Sequence, residues 1–319
     1  MLADLLARRR ARKASIPIDA PSDSGRRGFM RGFGVAAAGA AAVTALGSDG
    51  HGFNRAQAAN LDVAILQFAL NLEYLEAEFY LRAATGSGLG PNVTGNPYSM
   101  VVGGSQVPFT SSLIAAYAQE IAQEERKHVL FLRAALGSSA VNEPAIDLKS
   151  SFITLGNATG LSTDFNPFAD DFSFMLAAYI FEDVGVTAYH GAAPLITNPA
   201  YLDAAAGILA VEAYHAGLIR TVLFANGYSQ QTQAISMLRA NLDGTLGTAN
   251  IDDQGVGTTQ LPHIVLASDP RNASGSIGNN AIAYDRSPRQ VANIVYGGVG
   301  AAKGLFFPNG INGAGALFS

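Results

Sequence analysis

Apolar side chains recur every three to four positions through four long stretches of this chain, the spacing of helices that each bury one face. The first stretch runs over Leu61–Ala84 and gives way to TGSGLGPNVTGNP, which is dense in helix breakers. The second covers Ser111–Leu136 and stops at Gly137. The third covers Asp170–Ala193 and stops at Pro194. The fourth covers Pro199–Ala225 and stops at Asn226-Gly227, with Pro199 suited to a first helical turn. The pattern predicts an all-α four-helix bundle over 59–228. Only a few residues join the third and fourth stretches, so these two should lie antiparallel. The second and third are separated by a long segment containing VNEPAIDLKSSF and TDFNPFAD, which predicts a crossover along the bundle.

Beyond Tyr228 the periodicity weakens. QQTQAISMLRANL reads as one more helix, and SPRQVANIVYGGVG opens with a Ser287 cap followed by Pro288. The segment between them reads as loop, and the tail FFPNGINGAGALFS is rich in Gly and Asn. No second independent core is visible, so 229–319 is expected to be an irregular C-terminal extension packed on the bundle.

The first 58 residues stand apart. Arg26-Arg27 precede Phe29 and Arg31, a weakly apolar Ala/Gly run follows to Gly47, and Ala56–Ala58 offers a small-residue cleavage site. The apolar run is shorter than the roughly 20 residues of a bilayer span. Residues 1–58 resemble a twin-arginine signal. That resemblance implies recognition by the twin-arginine export machinery and a periplasmic or extracellular destination. No other segment is expected to be apolar and long enough to cross a membrane.

Composition narrows the chemistry. The chain has no cysteine, which removes disulfides, thiolate metal sites and cysteine nucleophiles. A metal here must be held by carboxylate, imidazole, carbonyl or water. The net charge of -5 gives no electrostatic footprint for nucleic acid.

There are only five histidines and nine glutamates, yet Glu125 precedes His128 by three positions and Glu212 precedes His215 by three. Three residues apart on a helix, a carboxylate and an imidazole project from nearly the same face. Either pair alone is an ordinary helix surface. Two such helices, joined by one Glu from each of two others, form the dimetal carboxylate site of a four-helix bundle. The third stretch offers only Glu182. The first offers Glu73, Glu76 and Glu78, of which Glu73 is favoured, Glu76 is an additional or alternative ligand one turn on, and Glu78 is expected to face solvent. Glu182 and Glu212 are equidistant from Thr197 in the short turn, so an antiparallel hairpin sets them at one height. Four carboxylates would offset two divalent ions, and two neutral imidazoles would complete the shell.

Neighbouring groups take supporting places. Glu120 and Glu124 are expected at the surface or behind a ligand. Asp183, about 100° around its helix from Glu182, is a poor ligand candidate. His190 is either a group behind the ligands or a buried structural histidine. Tyr80, Tyr117, Tyr179, Tyr189 and Tyr214 are expected in the core, one of them bonded to a ligand. His51 falls in the leader, and His263 has no acidic partner at useful spacing.

At FALNLEYLEAEFYLRAA, PAIDLKSSF, FEDVGVTAYHGAAP and AGILAVEAYHAGLIR the sequence resembles the ferritin-like superfamily, and more narrowly the desiccation-related proteins of plants and bacteria. The superfamily pattern falls on Glu73, Glu125, His128, Glu182, Glu212 and His215. The resemblance implies a bundle that binds two Fe or Mn ions. Two functions stay open. One is consumption of oxidants, O2 or peroxide, by ferroxidase or manganese-catalase-like chemistry in stress protection. The other is a non-enzymatic protective or interaction protein with a structural or empty site. The sequence also leaves a homo-oligomer open.

Overall fold

The computed structural model describes residues 54–95, 100–245, 253–257 and 283–318, with side chains from 59 onward. The basic and apolar parts of the expected leader, with His51, and the stretch carrying His263 lie outside the described residues. Eight α-helices occur among the described residues: α1 (Asn54–Thr85), α2 (Pro91–Thr94), α3 (Ser112–Leu136), α4 (Ser150–Thr159), α5 (Asp171–Ala192), α6 (Pro199–Ala225), α7 (Ser229–Asp243) and α8 (Pro288–Tyr296). The four long helices α1, α3, α5 and α6 correspond to the four periodic stretches. α1 starts earlier than its apolar pattern and runs through Ala56–Ala58, the stretch assigned by sequence to the leader.

The helix starts follow local chemistry. Ser111 Oγ accepts the Ile114 N–H at 3.3 Å, Asp170 accepts from Phe172 and Ser173 at 2.9 Å each, and Asn198 accepts from Ala200 at 2.9 Å. Each side chain satisfies a donor that the first helical turn leaves open. α1 packs chiefly against α3, and α5 against α6. Asp62 on α1 accepts from Thr197 N at 2.8 Å and Asn198 N at 2.9 Å, which fastens the α5–α6 turn to the first helix.

The crossover carries more structure than its sequence suggests. Strand β1 (Val101–Val102) pairs in parallel with β2 (Ile146–Asp147), Val101 opposite Ile146. The helix α4 follows, within the segment that the sequence marks only as a long crossover. Its Phe152 and Leu155 are buried, a contribution too short to register as helical periodicity. Phe152 joins Phe79, Phe168, Phe174, Phe181 and Phe306 in an aromatic cluster with centroids 5.0–5.7 Å apart. This cluster fills the bundle at the C-terminal end of α1 and the N-terminal end of α5.

One expectation fails on α6, which is long and apolar enough by composition to span a membrane. In the bundle it buries Glu212, His215 and Arg220, each fully enclosed by protein. The apolar residues that surround these groups are what raise its hydropathy.

The described part of the C-terminal extension holds the two helices that its sequence marks. α7 and α8 pack on each other and on α5, and α8 opens with a capping box between Ser287 and Gln290. Gly191 on α5 allows the extension to approach, since a Cβ there would lie 1.9 Å from the Arg286 carbonyl oxygen. A buried ionic network secures the contact. Arg239 bonds both oxygens of Asp253, at 2.7 and 2.8 Å, and also Asp183 at 2.8 Å. Arg220 reaches Asp183 at 2.8 Å. Arg286 reaches Asp253 at 2.7 Å and Asp243 at 2.8 Å. Three cations therefore meet three anions, and the guanidinium of Arg239 lies 4.5 Å from the centre of the Tyr179 ring. Asp183 is thus committed to arginine rather than to the carboxylate layer on the other face of α5.

Candidate metal centre

The structure brings all six ligand candidates into one buried layer. Ligand atoms of Glu73, Glu125, His128 and Glu212 form one group, and those of Glu125, Glu182 and His215 form a second; within each group all atoms lie within 4.8 Å of one another. Glu125 belongs to both. His128 Nδ1 sits 3.2 Å from Glu73 Oε2, 3.2 Å from Glu125 Oε2 and 4.0 Å from Glu212 Oε1. His215 Nδ1 sits 3.1 Å from Glu125 Oε1 and 3.2 Å from Glu182 Oε2. Matched heights in the α5–α6 hairpin set Glu182 beside His215, and the three-residue spacing sets each glutamate beside the histidine on its own helix.

The layer has an approximate two-fold pattern. Glu73 precedes Tyr80 on α1 as Glu182 precedes Tyr189 on α5, and the two glutamate–histidine pairs correspond in the same way. The tyrosines cross over: the Tyr189 hydroxyl donates to Glu73, and Tyr80 faces Glu182 without a well-formed hydrogen bond. Tyr189 is thus the tyrosine bonded to a ligand candidate. The symmetry breaks behind the histidines. Glu124 lies 2.8 Å from His215 Nε2 and so turns the other ring nitrogen toward the layer. The position corresponding to Glu124 on α6, just before Glu212, is Val211.

Several buried atoms here make no well-formed hydrogen bond among the described residues: Glu182 Oε1, both oxygens of Glu212, and Glu125 Oε1, Glu182 Oε2 and His215 Nδ1, which meet one another only as the ion-pair contacts above. A buried oxygen or nitrogen without a partner costs about 1–3 kcal/mol, more if charged. A cation coordinated by these atoms removes that cost. A donor set of carboxylates and imidazoles suits a divalent Fe, Mn or Zn ion, so the residues present fit the group.

Charge balance points the same way. Burial raises the Glu73 carboxyl to about 7, against the pull of His128. Burial and then the neighbouring carboxylates hold Glu76 and Glu212 well above the usual range. Burial also raises Glu182, with His215 opposing it. For Glu125 burial acts upward too, but the two imidazoles outweigh it and hold the group below the usual carboxylate range. Burial alone would lower the histidines. Contact with Glu73 and Glu125 instead holds His128 up at about 11, and contact with Glu182 and Glu125 holds His215 up at about 12. Without a metal, protons do the neutralising.

Other expectations need correction. Glu78 is buried rather than exposed: the loop after α1 folds over it, and it accepts from Leu89 N and Arg82 Nε at 2.6 Å each. Tyr214 is not a core residue but is 47% exposed on the outer face of α6, its hydroxyl 3.4 Å from the exposed Glu120. Tyr117 is half-buried, while Tyr80, Tyr179 and Tyr189 are in the core. His190 stays out of both groups, with Nδ1 3.2 Å from the Tyr284 carbonyl of the extension. Glu76 is buried beside the layer but belongs to neither ligand group.

One contributor gave no signal in sequence. Gly185 on α5 makes room for Glu212, because a Cβ there would lie 2.2 Å from Glu212 Oε2. Gly185→Ala should displace that carboxylate while α5 persists. We expect helical content by circular dichroism to stay at the wild-type level and metal affinity to fall about 10–100-fold. Unchanged affinity in metal titration would show that Glu212 is not held in place by this glycine.

Comparison with known proteins agrees with this layout. The family described as Ferritin-like domain matches residues 61–225, which contain all six ligand candidates. A desiccation-related protein of Craterostigma plantagineum is 32% identical over 245 residues, covering 71% of this chain and 72% of the relative. A ferritin-like catalase of Nesocodon mauritianus is 30% identical over 274 residues, covering 79% of this chain and 84% of the relative. No solved structure matches the chain significantly.

Proposed function

Because this chain belongs to the ferritin-like domain family, we propose that it is an exported dimetal-carboxylate protein that consumes oxidants in stress or desiccation protection. The observation that carries this reading is the pair of buried ligand groups sharing Glu125. In it, Glu73, Glu125, His128 and Glu212 would hold one ion, Glu125, Glu182 and His215 would hold the other, and Glu76 would stand by as an additional carboxylate. Two adjacent Fe or Mn ions supply a two-electron couple for O2 or peroxide. The protein's own groups do the rest. Tyr189 fixes Glu73, Glu124 fixes His215, and the aromatic cluster keeps bulk water from one end of the bundle. The name of the catalase relative supports peroxide as the oxidant, by disproportionation of two H2O2 to O2 and two H2O. The test is metal analysis of the purified full chain, followed by assays of peroxide removal and Fe(II) oxidation. Full metal occupancy with neither reaction would overturn the enzymatic reading and leave a non-enzymatic protective role, which the desiccation-related relative equally supports.

Metal uptake must displace the protons described above. With burial holding Glu73 up at about 7, its protonated, poorly ligating form gives way to the carboxylate as pH rises through that value. Affinity should therefore rise with pH, and calorimetry at about pH 6 and about pH 8 should show tighter binding at the higher value with proton release at both. Affinity that does not change with pH would argue against carboxylate and imidazole ligands.

Export rests on Arg26 and Arg27 ahead of the apolar run. Replacing both with lysine should retain the protein in the cytoplasm, as read by cell fractionation. Unimpaired export of that variant would exclude the twin-arginine route.

A further inference from the structure

Beyond the ligand layer, toward the N-terminal end of α1, the four bundle helices line a partly open apolar cavity of about 40 Å³. Leu72, Leu132, Tyr189 and Ile208 line it. Leu72 adjoins Glu73, Leu132 is one turn beyond His128, and Ile208 is one turn before Glu212, so this wall lies directly against the layer. Tyr189 gives its hydroxyl to Glu73 and contributes its ring to the cavity. Pro288 and Leu317 of the C-terminal extension complete the lining. That tail is held on α1 by Ala314 N donating to Gln67 Oε1 at 2.9 Å and by Phe318 packing on Phe68 at 5.5 Å.

The volume exceeds the roughly 10–15 Å³ needed by one water, but a water also requires two to four polar partners, and this wall does not supply them. Apolar walls without polar partners favour apolar guests such as xenon over water. Peroxide, which has two O–H donors, would lose its hydrogen bonds on entering. Dioxygen is an apolar diatomic and loses none. The aromatic cluster packs the opposite end of the bundle. We propose that the cavity is a dioxygen site, which holds O2 one turn from the metal layer, behind Leu72 and Tyr189. This rests on the oxidant-consuming reading. The same site serves O2 as the oxidant of Fe(II) or O2 as the product of peroxide disproportionation.

Xenon under pressure, applied to crystals of the metal-loaded full chain, tests the site without any turnover. The expected result is a xenon atom in the cavity, and its loss in Ala205→Phe, which fills the space from α6, with two metals per chain retained. Two rates then separate the roles of O2. If Fe(II) oxidation by O2 falls about tenfold while oxidation by added H2O2 holds, the cavity supplies substrate. If peroxide disproportionation falls instead, it releases product. Should Ala205→Phe fail to fold, the smaller Ala135→Met fills the same cavity from α3. Ordered water in place of xenon, or a xenon-free variant with both rates at wild-type level, overturns the proposal. Xenon bound to a chain that takes up no metal overturns the metal reading, whereas a two-metal chain without xenon overturns only the cavity.

Discussion

Glu125→Gln is expected to abolish both metal positions at once, with affinity lowered more than about 100-fold at each. The reason is geometric: Glu125 is the only residue common to the two ligand groups, with Oε2 facing His128 and Oε1 facing His215. An amide at this position offers one neutral oxygen in place of two charged ones. Glu73→Gln or Glu182→Gln alters one group alone, and each should lower the metal content of the chain by one ion. Elemental analysis of the three variants side by side is the measurement. A Glu125→Gln protein that retains one tightly held ion would show that the carboxylate is not shared.

The largest effect on stability is expected far from that layer, at Asp253. This carboxylate bonds Arg239 through both oxygens and Arg286 through one, and all three side chains are buried. Asp253→Asn leaves two buried guanidinium groups short of an anion. Breaking a buried pair from one side costs roughly 3–5 kcal/mol. Arg286 and α8 should then separate from α5 and become sensitive to protease, while metal content holds, since the network lies on the Asp183 face of α5 and the ligands on the Glu182 face. Chemical denaturation and limited proteolysis read the two consequences. A loss of stability below about 1 kcal/mol would show that the network adds little beyond packing.

How much of this could be read in advance varies by element. The starts at Ser111, Asp170 and Pro199 and the stops at Gly137 and Pro194 are local signals, and the helices they bound begin and end within a residue or so of the expected places. The glutamate–histidine spacing is local as well, because a helix alone determines which side chains share a face. Glu73 was harder, being one of three glutamates on a helix buried nearly all round. Glu78 is expected to face solvent on the same helix, but it is buried by the loop that folds over α1 after Thr85.

Other features left no trace along the chain. Gly185 reads as a mild helix weakener until Glu212 from the neighbouring helix occupies the space beside it. Tyr189 is one aromatic among several until Glu73 lies within reach of its hydroxyl. The arginine network joins α5, α6, α7 and the extension, and no spacing links Arg220, Arg239 and Arg286.

The sequence by itself determined the four long helices, the antiparallel α5–α6 hairpin, the two glutamate–histidine pairs and the matched heights of Glu182 and Glu212, because each follows from helical periodicity and short-loop geometry. Only the tertiary structure decided that Glu125 is shared, that Glu124 backs one histidine and not the other, and that an apolar cavity adjoins the layer. Those facts depend on which side chains meet across helices far apart in the chain, and such distances are settled by packing.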